Sequence, residues 1–211
     1  MTAVVAQSPI REEQILPHPA WHKLTDINWH STPKDLDKGL PADLLSPLWQ
    51  MLILGNGSPT RLLQLLTGGA IGVGVIDTQV IGDSLDHAPA EIKSIATPRV
   101  RRQIWLKSAQ TDVIFAYAVS WWHKQDLETF LPDPNLPIGT NLSKQKLEVY
   151  RDLRGVYRGK CPTLDGIFGV NSPNPTYWGR HYLLWHQGKP LNLIYEIFHP
   201  CLRDYLGAES L

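Results

Sequence analysis

Two stretches constrain the fold more than any others: "RVRRQIWLKSAQTDVIFAYAVSWW" (99–122) and "YWGRHYLLWHQGKPLNLIYEIFHP" (177–200). Each carries two runs rich in β-branched and aromatic residues on either side of a short polar turn. That is the pattern of an antiparallel hairpin. A further strand signal covers "AIGVGVIDTQVI" (70–81), and "KLEVYRDLRGVYRGK" (146–160) reads equally as helix or strand. Short helical signals lie between them. In "LPADLLSPLWQMLILG" (40–55), Leu44, Leu45, Leu48 and Leu52 fall at helical spacing, with Pro47 as a break. In "GSPTRLLQLLTGG", Ser58 suits an N-cap, Pro59 the first helical position, and Gly68-Gly69 the stop. Hairpins with a few short helices mean an α+β domain built on a single antiparallel sheet of about six strands, with short helices packed on it. Residues 1–38, rich in Pro and His, read as an irregular arm; 39–211 form the domain.

The sheet pattern puts two charges in odd places. Side chains alternate faces with period two along a strand. Glu196 therefore shares its face with Ile194 and Phe198, and Arg102 shares its face with Ile104 and Leu106. One reading is a solvated face with both charges in water. The other is a closed polar pocket with a cation and a carboxylate at opposite ends, suited to a small rigid anion bearing a hydroxyl at its far end.

Other chemistries fit less well. The eight histidines form no HExxH pattern and no paired CxxC exists, so they read as scattered surface or supporting residues rather than zinc ligands. There is no GxSxG, and the glycines of "GGAIGVGV" sit inside a strand rather than between strand and helix. Lys plus Arg and Asp plus Glu balance at 20 each, which argues against a general electrostatic grip on nucleic acid. Two cysteines are too few for a disulfide scaffold, no apolar run reaches the length of a membrane span, and the N-terminus lacks a secretory pattern. A cytoplasmic protein, with no nucleic-acid partner and no membrane span, is the expectation.

Four blocks in order resemble the chorismate pyruvate-lyase family, the enzymes that make 4-hydroxybenzoate: "GSPTR" (57–61), "RQIWL" (102–106), "LPIG" (136–139) and 177–200 with its W-G-R, G-K-P and E-x-F-x-P. The cyanobacterial and plastid branch is the most similar. The resemblance implies that flap segments, the helix start "GNGSPTR" (55–61) and the loop "PDPNLPIGTN" (132–141), close an internal ligand cavity. It implies that Arg102 holds the ring carboxylate of chorismate, helped by the backbone N–H of Ile138 in the loop that includes Gly139. It implies that Glu196 accepts a hydrogen bond from the hydroxyl on ring carbon 4. A second backbone donor is implied at Pro59, which has no N–H; Thr60 is the substitute. Arg180 of W-G-R is either a second anion contact or a structural arginine. The implied reaction yields 4-hydroxybenzoate and pyruvate for quinone biosynthesis of the plastoquinone type, needs no cofactor, and is expected of a monomer. The rival is a non-catalytic sensor domain of the same fold that binds small aromatic acids.

Overall fold

The computed structural model describes residues 21–36 and 38–210. In chain order the elements are β1 (Thr25–Ser31), α1 (Pro33–Leu36), α2 (Pro47–Ile53), α3 (Pro59–Thr67), β2 (Ile71–Gly82), β3 (Arg99–Ser108), β4 (Ile114–His123), α4 (Lys124–Phe130), α5 (Ile138–Lys144), β5 (Tyr150–Lys160), α6 (Pro162–Phe168), β6 (Tyr177–His186), β7 (Lys189–Phe198) and α7 (Arg203–Leu206), with 3-10 turns at Ala90–Ser94 and Pro200–Leu202. The strands form one sheet in the order β1-β5-β6-β7-β4-β3-β2. Every pairing is antiparallel. The sheet is thus two three-stranded meanders, β2-β3-β4 and β5-β6-β7, fused where β4 meets β7, with β1 added at one edge.

Local signals place the elements. Pro47 opens α2 rather than breaking a longer helix, with Ser46 before it in extended conformation. Ser58 caps α3 by accepting a hydrogen bond from the Arg61 N–H, and Gly68 ends it at φ 67°. Gln187 and Gly188 both have positive φ, as the two-residue turn between β6 and β7 requires. The ambiguous 146–160 segment is a strand from Tyr150 onward, with a register shift between Leu153 and Gly155. That bulge changes which alternate residues face each side.

The sheet has seven strands where about six were expected. The additional one is β1, an edge strand with mostly exposed residues and so no apolar alternation to read. It falls within the region read as an irregular arm; residues 1–20 of that arm lie outside the described residues.

Both faces of the sheet centre are covered. On one, Trp49, Leu52 and Ile53 of α2 and Leu63 of α3 pack on Ile104, Leu106, Ala116 and Phe198. On the other, Trp21, Ile92, Ile95, Leu164 and Phe168 pack on Tyr117, Val119, Trp121, Leu193 and Ile197. Every residue of β7 from Leu191 to Phe198 is buried as a result. The solvated-face reading of Arg102 and Glu196 is therefore wrong: they are 1% and 2% exposed. Among the described residues no helix is long and apolar enough to cross a membrane.

A polar clasp holds the covering segment on the second face. Glu91, in the first 3-10 turn, accepts a hydrogen bond from His181 Nε2 at 3.2 Å and pairs with Arg154 Nε at 3.5 Å. The Tyr157 hydroxyl lies 2.8 Å from His181 Nδ1, so the tautomer with its proton on Nε2 satisfies both contacts. The His181 hydrogen bond, with help from Arg154, holds the Glu91 carboxyl down to about 2 from an ordinary 4.5. A depressed carboxyl pKa stabilises the fold above about 4.5 and loses that contribution as pH falls toward 2. Urea titrations of wild type and Glu91→Gln should therefore show a stability gap at neutral pH that narrows between pH 5 and pH 2. A gap independent of pH would rule out the clasp as its source.

Candidate active site

The four central strands bring one row of polar side chains to the face covered by α2, α3 and α5. Their pairing aligns Arg102 with Ser120 and then Ile194 and Tyr182; the next row aligns Ile104, Ala118, Glu196 and Arg180. Arg102 and Glu196 thus share a face, separated by two strand spacings across and one two-residue step along. That is about 10 Å by about 7 Å between their backbones. Between them β4 contributes only Ala118 and Ser120. Those small residues leave a cavity of about 170 Å³, walled by Ile104, Leu106, Leu184 and Ile194.

Arg102 is unusual for a buried cation. Its Nη2 donates to the Pro134 carbonyl at 2.5 Å, while Nε and Nη1 are buried without a partner. No carboxylate pairs with it among the described ion pairs. Burial alone lowers its pKa from 12.5 to about 10, which still leaves it protonated at neutral pH. Buried donors without acceptors are costly, and an anion in the cavity would remove that cost.

Glu196 is the converse, fully engaged from behind. Its Oε2 accepts from Arg180 Nε at 2.7 Å and its Oε1 from the Tyr182 hydroxyl at 2.9 Å. Each carboxylate oxygen has a further lone pair, so both can still accept from a ligand. Burial, then the neighbouring Glu196 charge, pushes the Tyr182 phenol well above its ordinary 10, so it stays a donor. Arg180 does not line the cavity. Its Nη1 donates to the carbonyls of Leu52, Ile53 and Gly55, at the C-terminal end of α2. Those are carbonyls that a helix end leaves without intrahelical donors. Arg180 thus ties Glu196 to the end of α2.

Two helix starts roof the cavity. Pro59 and Thr60 of α3 and Ile138 and Gly139 of α5 all line it. Pro59 offers no N–H, so Thr60, buried beside it, carries the first available donor of α3. The N–H groups of Ile138 and Gly139 open α5 and have no intrahelical acceptor. The two roof pieces touch. A Cβ on Gly139 would lie 2.9 Å from Ser58 Oγ, so glycine is what lets them meet. Asn141 braces the second piece by donating to the Asp133 carbonyl at 2.9 Å and accepting from the Asp133 N–H.

Sequence reasoning missed Tyr182 and Arg151, which also line the cavity. Tyr182 was within reach, since it lies two residues from Arg180 on the same strand and therefore on the same face. Arg151 was not, because its segment could not be assigned to helix or strand.

A family described as chorismate pyruvate-lyase Rv2949c-like matches residues 53–206. The protein ycf21 of Cyanophora paradoxa, described as uncharacterized, is 32% identical over 178 residues, which is 84% of this chain and 90% of its own. A chorismate pyruvate-lyase of Mycobacterium leprae is 26% identical over 156 residues, covering 71% of this chain and 72% of its own. Among solved structures, PhnF from Mycobacterium smegmatis superposes with a TM-score of 0.54 at 9% identity, over 75% of this chain and 69% of that one. That likeness extends the shared fold and no more. The matched span runs from the end of α2 through α7 and takes in every residue that faces the cavity, and on it the chain belongs to the chorismate pyruvate-lyase Rv2949c-like family.

Proposed function

We propose that the protein is a lyase that converts chorismate to 4-hydroxybenzoate and pyruvate. The observation that carries this reading is the buried Arg102 guanidinium, with two donors unused, facing the same cavity as a carboxylate that its own partners already neutralise. In this reading the ring carboxylate takes the open donors of Arg102 and the backbone N–H groups of Thr60 and Ile138. The hydroxyl on ring carbon 4 donates to Glu196.

In the reaction the hydrogen on carbon 4 is lost and its bonding electrons enter the ring. The ether bond at carbon 3 breaks, and the enolpyruvyl fragment gains a proton to leave as pyruvate. Aromatisation supplies the driving force, so the protein needs to orient the side chain over the ring and exclude water. Orientation of a bound reactant supplies several kcal/mol of barrier lowering, about 7–11 at the upper end. Glu196, held by Arg180 and Tyr182, polarises the carbon-4 hydroxyl as phenol character develops, a role fixed in advance of the reaction. An apolar-walled cavity would hold the flat product as well as the substrate, so slow release and strong product inhibition are expected. The product would serve quinone synthesis of the plastoquinone type.

Incubation of the purified protein with chorismate should yield equimolar 4-hydroxybenzoate and pyruvate. Tight binding of 4-hydroxybenzoate without turnover would instead mark a sensor or carrier.

Three substitutions test the roles. Arg102→Ala removes the carboxylate anchor and should raise KM for chorismate about 100-fold, or about 2.7 kcal/mol. Glu196→Gln should lower kcat about 100-fold with a smaller change in KM, in the range seen when one preorganised polar contact is lost; an unchanged kcat would remove Glu196 from the mechanism. Ala118→Leu should fill the cavity and abolish 4-hydroxybenzoate binding in calorimetry while the protein still unfolds cooperatively.

A further inference from the structure

Arg151 is a second cation of the cavity with no carboxylate partner. It projects from β5 on the cavity side, in register with Leu184. Its guanidinium carbon lies 4.6 Å from the centre of the Tyr182 ring, and Nη1 donates to the carbonyls of Asn56 and Gly57. Those two residues lead directly into the Ser58 cap of α3, so Arg151 holds one roof piece. Its Nε is buried without a partner. Among the described ion pairs none involves Arg151.

The charges around the cavity are therefore unbalanced. Arg102, Arg151 and one carboxylate, Glu196, line it, and Glu196 is already paired with Arg180 from behind. The remaining two guanidiniums stand at separate places. Arg102 is on β3, and the Arg151 head is over Tyr182, whose hydroxyl binds Glu196. A ligand with one carboxylate neutralises one of them. A ligand with two, set apart on a rigid frame, neutralises both.

From this we infer that Arg151 is the seat of a second ligand carboxylate and that the occupied seat latches the roof. The identity of the dianion rests on the lyase reading. There the carboxylate of the ether side chain on ring carbon 3 sits beside the carbon-4 hydroxyl. Once the ring is fixed by Arg102 and Glu196, that carboxylate falls at the Glu196 end, where Arg151 stands. Arg151 then senses whether the side chain is still attached: the substrate carries both carboxylates on one molecule, and the ring product carries one. The latch tightens on the substrate and slackens when pyruvate separates.

The test compares two ligands by calorimetry: the monoanion 4-hydroxybenzoate and the unreactive dianion 3-(carboxymethoxy)-4-hydroxybenzoate. Arg151→Met should weaken dianion binding at least about tenfold and monoanion binding less than about threefold. KM for chorismate should rise with the dianion Kd. Arg151→Lys keeps the charge without the planar fork and should recover part of the dianion preference; it also carries the test if the methionine variant does not fold. Equal weakening of both ligands would make Arg151 a roof anchor only and overturn the inference, as would no weakening of either. The lyase reading fails separately: absence of chorismate turnover with a selective loss of the dianion would sink that reading and leave the second seat standing. Normal turnover without a selective loss would do the reverse.

Discussion

Arg180 reaches from β6 to Glu196 on β7 and to three carbonyls at the end of α2, and the cavity depends on that one guanidinium. A carboxylate cannot be kept 2% exposed beneath apolar walls without a compensating charge and hydrogen bonds. Arg180 supplies the charge and Tyr182 the second bond. The same contact pins the end of α2 to the sheet, and the chain leaving α2 becomes the roof at residues 56–60. Removing one member of such a pair leaves an isolated buried charge, at roughly 3–5 kcal/mol. Stability and the placing of the site are thus one interaction.

Beside that pair stand two guanidiniums with no carboxylate partner. Arg102 and Arg151 have buried donors with no acceptor, as does Arg180 at Nη2, a cost that a bound anion would remove at the two that line the cavity. A site paired within itself would be more stable and would bind nothing. The floor is made of central strands buried on both faces; the roof is two short helix starts that meet at Ser58 and Gly139, with Arg151 and Asn141 holding them. In the proposed lyase, stiffness in the floor would give the ligand a fixed geometry and the short roof segments would be its way in and out.

The floor was legible because strand periodicity is a local property. Once 99–108 and 189–198 read as strands, Arg102 and Glu196 each had a face, and each face was apolar. Of the two roof helices, α3 was legible through Ser58, Pro59 and Gly68, whose backbone preferences act within a few residues, whereas the start of α5 read as a loop. Two things were not legible. β1 lacks apolar alternation because it lies at an edge and is mostly exposed. Arg151 lies just before a bulge, where register shifts and a period-two count fails.

By itself the sequence determined the antiparallel sheet, its two hairpins, the apolar neighbours that share a face with Arg102 and with Glu196, and the start of α3, since all of these follow from preferences exerted over a few neighbours. Only the tertiary structure decided that β4 pairs with β7, and with it everything that depends on that seam. It put Ala118 and Ser120 between the two charges to leave room for a ligand, gave Glu196 to Arg180 rather than to Arg102, and set Arg151 over Tyr182. Those pairings join residues far apart in the chain, where burial on both sides of the sheet, rather than local preference, selects the partner.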